Sequence, residues 1–179
     1  MKKNDEQLKT QARNMMSNAQ GHLFEELIKT GCVIYSSQER AEINKVPEPF
    51  RVTKKLANGQ FTGRFTAAAQ PDFSGTLKGG TAIHFEAKYT NTDQIKRSVL
   101  TDEQMESLEH HRKLGAVTGV CVGIKDNFYF IPWNIWRDMK AIYGRQYLKT
   151  EDIEQYRVKF NGAVMFLDYV SERMDGHGQ

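Results

Sequence analysis

The strongest constraint on how this chain can fold lies in residues 71–89. The run Thr81-Ala82-Ile83-His84-Phe85-Glu86-Ala87-Lys88-Tyr89 alternates apolar and polar along its length. Side chains on a strand point to opposite faces with period two, so Ile83, Phe85, Ala87 and Tyr89 face a core. His84, Glu86 and Lys88 share the other face. Upstream, Pro71 to Leu77 is poor in apolar residues, but Lys78-Gly79-Gly80 reads as a turn that folds it back onto the first run. With those residues as a three-residue loop, Leu77 pairs with Thr81 and Asp72 falls directly across from Glu86. Their Cβ atoms would then lie about 5 Å apart. A four-residue loop would break this pairing.

Two carboxylates so placed repel unless something positive sits between them. A divalent cation fits that place. All-oxygen ligation selects a hard ion such as Mg²⁺, which keeps several waters and takes only one or two protein carboxylates. Lys88 on the same face is close enough to hold or help deprotonate an attacking water, or to stabilise charge on a phosphate. The competing interpretation is a surface hairpin in which Lys88 makes a salt bridge with Asp72 or Glu86. Against it stand the apolar opposite face, Pro71 before Asp72, and an acidic helix upstream.

The rest of the chain supplies elements for one domain. At 179 residues, 39% hydrophobic and 26% charged, it has the composition of a globular protein with a real core. It has no repeat and no low-complexity tract. Residues 1–16 form a basic N-terminal arm (Lys2, Lys3, Lys9, Arg13), either helical or flexible. Ser17-Asn18-Ala19-Gln20 has the form of a capping box, opening a helix to Thr30 with Gly31 as its stop and Leu23, Phe24, Leu27 and Ile28 as its apolar stripe. Val33-Ile34-Tyr35 reads as a short strand.

Phe50 to Phe65 is a hairpin around Asn58-Gly59. A two-residue loop sets Val52 against Phe65 and Leu56 against Phe61. One face is then apolar apart from Lys54, and the other carries Arg51, Thr53, Lys55, Thr62 and Arg64. Such a ribbon touches protein with one face and phosphate with the other, or is an ordinary hairpin with solvated charges.

Thr101 caps a further helix, with Gln104 closing the box, Leu100 and Met105 as a hydrophobic staple, and Leu108 and Leu114 continuing the stripe to Gly115. Val117 to Ile124 is a doubly buried strand and Phe128 to Ile131 the next. A helix follows from Pro132 through Trp136, Met139 and Tyr143 to Gly144, then a short helix near Glu151–Tyr156 and a strand from Ala163 to Val170. The expected architecture is mixed α/β: a single domain over 17–170, a small central sheet flanked by helices, and a disordered tail at 171–179.

Net charge is +3, so a nucleic-acid partner is argued only by local clusters, in the arm and the hairpin. No apolar run approaches the roughly 20 residues that span a bilayer. With no export signal, Cys32 and Cys121 read as reduced, buried thiols of a cytoplasmic protein.

Pro71-Asp72 followed by Glu86-Ala87-Lys88 resembles the motif of the PD-(D/E)xK nuclease superfamily. The resemblance implies a restriction-endonuclease-like core and Mg²⁺-dependent phosphodiester hydrolysis, with the metal on Asp72, Glu86 and the carbonyl of Ala87, and Mn²⁺ able to replace it. The surroundings are more specific. Gly21-His22-Leu23-Phe24-Glu25 with Ile28, then Ala41, Ile43, Lys45 and Pro47, resemble the N-terminal part of the RecU Holliday junction resolvases. So do Asp72-Phe73-Ser74-Gly75, Phe85-Glu86-Ala87-Lys88, Gln104 and Gly144-Arg145. This likeness covers residues 17–160. It implies a homodimer that nicks four-way junctions symmetrically, with the hairpin at about 50–66 as a protruding stalk. Pro71 stands where that family carries Thr, and the stalk sequence differs and is shorter.

Single residues divide between structure and function. Glu25 and Glu26 both flank their helix's stripe, so periodicity does not choose; the family pattern matches Glu25 as a catalytic group. Gln104 is either a capping-box residue or, by resemblance, a residue that orients the attacking water or Lys88. His84 shares the catalytic face, as filler or as a DNA contact, and His110 and His111 read as surface positions. Trp133 and Trp136 suit core packing better than base stacking. Arg51, Lys54, Lys55, Arg64 and Arg145 are the expected DNA contacts, with Lys149 beside Arg145. The alternatives to a junction resolvase are a related endonuclease acting on linear or other branched DNA, and a non-catalytic DNA-binding protein of nuclease fold.

Overall fold

The computed structural model describes residues 2–47, 50–65 and 70–168. In chain order the elements are α1 (Lys2–Ser37), β1 (Ala41–Lys45), β2 (Phe50–Lys55), β3 (Phe61–Phe65), β4 (Phe73–Leu77), β5 (Ala82–Thr90), β6 (Gln94–Lys96) and α2 (Asp102–Lys113). Then follow β7 (Val117–Ile124), β8 (Asn127–Pro132), α3 (Trp133–Arg137), α4 (Met139–Tyr143), β9 (Tyr147–Lys149), β10 (Lys159–Phe160) and β11 (Val164–Met165).

The central sheet has five strands in the order β1-β4-β5-β7-β8. Only β5 and β7 run parallel, and α2 lies in the crossover that joins them. One face packs Phe73, Phe85 and Phe130 under Phe24, Ile28 and Tyr35 of α1. The other packs Val120, Val122 and Ile131 under Leu108 of α2 and Trp133, Trp136 and Met139 of α3 and α4. The mixed α/β architecture of a central sheet flanked by helices is therefore present, and both tryptophans are core residues. Cys32 and Cys121 are buried free thiols, and burial pushes Cys32 up to about 12. Among the described residues no helix is long and apolar enough to cross a membrane.

The β4–β5 register is the one a three-residue loop requires. Phe73 pairs with Phe85, Ser74 with His84, Gly75 with Ile83 and Thr76 with Ala82, and the Leu77 N–H donates to the Thr81 carbonyl at 2.8 Å. On its other side β4 meets β1, a strand not among the elements expected from the sequence. The two approach closely at Gly75, where a Cβ would stand 2.1 Å from the Glu42 carbonyl oxygen. Gly75→Ala is expected to cost about 3 kcal/mol of stability, because the obstructing atoms are backbone. A thermal melt superimposable on wild type would show that β1 yields without cost.

Several expectations give way. α1 is one continuous helix of 36 residues, so Ser17 does not cap it and Gly31 does not end it. Gly31 instead lets the chain at β11 close in: a Cβ there would lie 2.5 Å from the Val164 carbonyl oxygen. Val33-Ile34-Tyr35 is helical, since packing overrides the weak β preference of such residues. Tyr35 is buried, and its hydroxyl accepts the Leu167 N–H at 3.1 Å.

The β2–β3 hairpin closes through Ala57-Asn58-Gly59, with the Leu56 N–H donating to the Gln60 carbonyl at 2.7 Å. Asn58 and Gly59 take positive φ as the turn signal demands, but the loop is one residue longer than expected and a bulge at Thr53 takes up an irregularity in the pairing. Val52 therefore faces Gly63, not Phe65. The ribbon forms a sheet of its own, and Val52, Leu56 and Phe61 on it are exposed.

Toward the C-terminus the expected single helix is split into α3 and α4 at Asp138, and Gly144 ends α4 at φ 72°. The expected helix near Glu151–Tyr156 is two short 3₁₀ turns. The last strand covers only Val164–Met165, and Leu114 is exposed. The expected end of that strand and the tail at 171–179 lie outside the described residues.

Candidate active site

The β4–β5 register delivers Asp72, at the mouth of β4, beside Glu86 on β5. Asp72 Oδ2 accepts the Ala87 N–H at 2.9 Å, which fixes the carboxylate against the strand. Lys88 Nζ lies 3.2 Å from Asp72 Oδ2 and 2.9 Å from Glu86 Oε2. The ammonium thus bridges the two carboxylates. That much is common to a salt bridge and to a metal site. The difference lies in burial: Glu86 is 0% exposed, and its second oxygen, Oε1, is buried without a hydrogen-bond partner. An orphaned carboxylate oxygen inside a protein is destabilising, and a surface salt bridge would not create one.

Burial pushes the Glu86 carboxyl up to about 7; Lys88 pulls it down, and Asp72 adds to the rise. Burial also works against the Lys88 ammonium, but Glu86 and then Asp72 outweigh it and hold its pKa above the usual lysine value. The donor set is two carboxylates, one with an unused buried oxygen, which fits a hard, partly hydrated cation. Among the described residues no cluster of three or more His, Cys, Asp or Glu side chains assembles.

Gln104 reaches this centre from α2. Its Nε2 donates to Glu86 Oε2 at 2.5 Å, while its Oε1 accepts the Thr101 N–H at 3.1 Å. Thr101 Oγ1 in turn accepts the Gln104 N–H at 3.3 Å. The capping box expected of Gln104 is present, and the other end of the same amide reaches Glu86, so the two interpretations do not exclude each other. Gln104→Glu keeps a residue able to close the capping box but sets a carboxylate against Glu86. The variant is expected to keep its α2 helicity by circular dichroism yet lose cleavage by about 100-fold or more. Loss of helicity without loss of cleavage would leave the cap as its only role.

The sequence matches the family described as Recombination protein U (RecU) over residues 19–172. This chain belongs to the RecU family. Among solved structures, similarity is found to Archaeoglobus fulgidus Hjc, described as a Holliday junction resolvase from an archaeal hyperthermophile. The TM-score is 0.41 and the identity 16%, over 65% of this chain and 75% of that one. No curated protein matches the sequence.

In this RecU-family chain Glu25 is not joined to the carboxylate pair by any described contact. It forms an ion pair with Lys45 Nζ, and His22 Nδ1 lies 3.9 Å away. Lys45 ends β1, and its neighbour Val46 donates its backbone N–H to the Asp72 carbonyl at 2.9 Å. Glu25 and Lys45 therefore sit one link from Asp72. In the sequence only the RecU-like pattern singles out Lys45; spacing and periodicity do not reveal its ion pair with Glu25.

Lys54 and Lys55 are exposed on the hairpin, and register pairs Arg51 with Arg64. Arg145 is committed to the fold. Its guanidinium bonds Asp152 at 2.5 Å and the Tyr143 carbonyl at 3.2 Å, and lies over the Tyr147 ring. Lys149 Nζ is 3.4 Å from Glu151. His84 accepts or donates a bond with Ser74 Oγ at 2.9 Å from its Nδ1, and its ring stacks on His111 with centroids 3.7 Å apart. Burial lowers both imidazoles, with His111 adding to the effect on His84 and His110 to that on His111. His111 is thus no simple surface position, a fact that helical periodicity alone did not reveal.

Proposed function

We propose that this protein is a Mg²⁺-dependent endonuclease that resolves four-way DNA junctions as a homodimer, each subunit cutting one strand. The observation that carries the proposal is the buried, half-unsatisfied Glu86 carboxylate bridged to Asp72 by Lys88. Membership of the RecU family supports the junction as substrate.

Asp72, Glu86 and the carbonyl of Ala87 would hold the cation. When bound, Mg²⁺, or Mn²⁺ in its place, supplies an acidified water and charge stabilisation at the scissile phosphate. The chain's own residues do the rest. Lys88 Nζ, aimed between the carboxylates, positions the attacking water or meets negative charge on the phosphate. Gln104 Nε2 fixes the orientation of Glu86, and the Ala87 N–H fixes that of Asp72. The hairpin cations Lys54 and Lys55, with Arg51 and Arg64 on the same ribbon, contact phosphates of the junction arms.

The test compares a four-way junction with a linear duplex of matched sequence, using wild type and Asp72→Asn in Mg²⁺. Wild type should cut the junction in preference to the duplex. Asp72→Asn should lose cleavage by about 1,000-fold or more while junction affinity stays within a few-fold. Equal cutting of both substrates would identify a less selective endonuclease. Tight junction binding without turnover in either metal would identify a binding protein.

A further inference from the structure

On the sheet face that carries Glu86 and Lys88, further along the strands, lies a second polar group that the chemistry above does not use. Ser74 and His84 are cross-strand partners on β4 and β5, two residues along the strands from Asp72 and Glu86. His111, on α2, lies over His84 with the rings inclined by 22° and their centroids 3.7 Å apart, which is face-to-face contact. Ser74 Oγ, at 2.9 Å from His84 Nδ1, holds the His84 ring by its edge.

Gln104, Leu108 and His111 follow one another at intervals of four and three residues, so they form a single stripe on α2. Each faces the sheet: Gln104 bonds Glu86, Leu108 is fully buried, and His111 stacks on His84. The later helix residue meets the earlier strand residue, so α2 runs back along β5 and is fastened to it at both ends of the stripe. Leu108 is α2's only fully buried side chain, so the helix has little apolar anchorage to spare. Its flank toward α3 is tied by Glu109, which accepts the Trp133 Nε1–H at 2.6 Å and Arg137 Nη1 at 3.2 Å. The flank toward β5 is held by the Gln104–Glu86 bond near the start of the helix and by the stack near its end.

We propose, building on the nuclease function above, that the His84–His111 stack is a positioning device for cleavage. It clamps α2 onto β5 so that Gln104 engages Glu86 in the orientation the reaction needs. His111 touches neither carboxylate and acts through the helix. The two histidines are therefore positioning residues, and the effect of losing them passes through Gln104.

The experiment measures single-turnover cleavage of a four-way junction, junction affinity and amide hydrogen exchange along α2. The proteins are wild type, His111→Ala, His111→Phe, Gln104→Ala and the Gln104→Ala/His111→Ala double variant. A misplacement of this kind is expected to slow His111→Ala by about 10-fold or more, with junction affinity held within about twofold. Exchange in the first turn of α2 should accelerate. His111→Phe, which can still stack, should recover most of the rate. The double variant should be no slower than Gln104→Ala alone, although residues two helical turns apart ordinarily contribute independently.

Multiplicative losses in the double variant, a wild-type rate for His111→Ala, or no recovery with Phe would each overturn the role of the stack. A wild type that cuts nothing in Mg²⁺ or Mn²⁺ overturns the nuclease function and this role with it. Cutting by wild type with multiplicative losses overturns the stack's role alone.

Discussion

Glu86→Gln is expected to abolish junction cleavage and, in the same protein, to raise the melting temperature of the metal-free enzyme at pH 8. Both effects come from one buried carboxylate. Its pKa is raised from an ordinary 4.5 to about 7, first by burial and then by Asp72 against the pull of Lys88. The folded state therefore prefers the protonated acid. The stability this contributes is fully present below pH 4.5 and is lost as pH rises through 7. At pH 8 the fold carries an ionised carboxylate, with Oε1 unpartnered, at a cost of up to about 3 kcal/mol.

Glutamine cannot ionise and so escapes that cost. The pull of Lys88 is already inside that figure, but glutamine still leaves a buried, unpartnered amide group in the place of Oε1, so the net gain should be about 1–2 kcal/mol, or several degrees in Tm. The gain should shrink toward pH 5, where wild-type Glu86 is mostly protonated. Cleavage should fall by about 1,000-fold or more, since a neutral amide is a poor substitute for a carboxylate at a cation site. Melts in EDTA at pH 5 and pH 8, beside a junction cleavage assay, check both halves. Equal or lower stability of Glu86→Gln at pH 8 would show that the carboxylate is not strained in the fold.

The strained residue is also the one most legible in the sequence, and the reason is local. Strict alternation from Thr81 to Tyr89 fixes the faces of β5, and Lys78-Gly79-Gly80 leaves little freedom in where β4 must pair. With a three-residue loop those two constraints bring Asp72, Glu86 and Lys88 to one place, as the observed register does. The hairpin at Asn58-Gly59 shows the limit of the same logic. Its turn signal fixes two positive φ values but not how many residues the loop encloses, so the register and the paired residues came out differently.

α1 was illegible for a different reason. Ser17 and Gly31 carry end signals worth about 1 kcal/mol each, and continuous packing of Phe24, Ile28 and Tyr35 against the sheet outweighs them. β1, β6 and β9 are too short for periodicity to register. The Glu25–Lys45 pair and the His84–His111 stack join residues distant in sequence, which no pattern within one element encodes. Gln104 was the opposite case. Its amide oxygen closes the cap and its amide nitrogen reaches Glu86, so capping and a place in the candidate site are compatible in one side chain.

Lys88→Met is expected to bind Mg²⁺ more tightly than wild type and yet fail to cut DNA. In the metal-free protein the ammonium stands within 3.2 Å of Asp72 and 2.9 Å of Glu86, where it is the counter-charge for both. A cation arriving at the same two carboxylates must compete with it. Removing the ammonium removes the competitor and leaves two carboxylates with mutual repulsion that only a cation relieves. Glu86 will titrate higher still without Lys88, so the comparison belongs at pH 8.5, where the carboxylate is more fully ionised in both proteins. There the apparent Mg²⁺ affinity should improve by about tenfold, equivalent to about 1.4 kcal/mol, a modest part of the interaction between groups this close. The metal-free variant should also be less stable than wild type, and its Tm should rise further on adding Mg²⁺. Cleavage should nonetheless fall by about 1,000-fold, because the metal gains a site while the water or phosphate loses the cation that aligned it. Calorimetric Mg²⁺ titration and thermal shift decide the first half, and single-turnover cleavage at saturating Mg²⁺ decides the second. Unchanged or weaker Mg²⁺ binding would mean that ammonium and metal do not share the carboxylates. Retained cleavage would mean that the metal alone aligns the nucleophile, leaving Lys88 as a counter-ion of the metal-free fold.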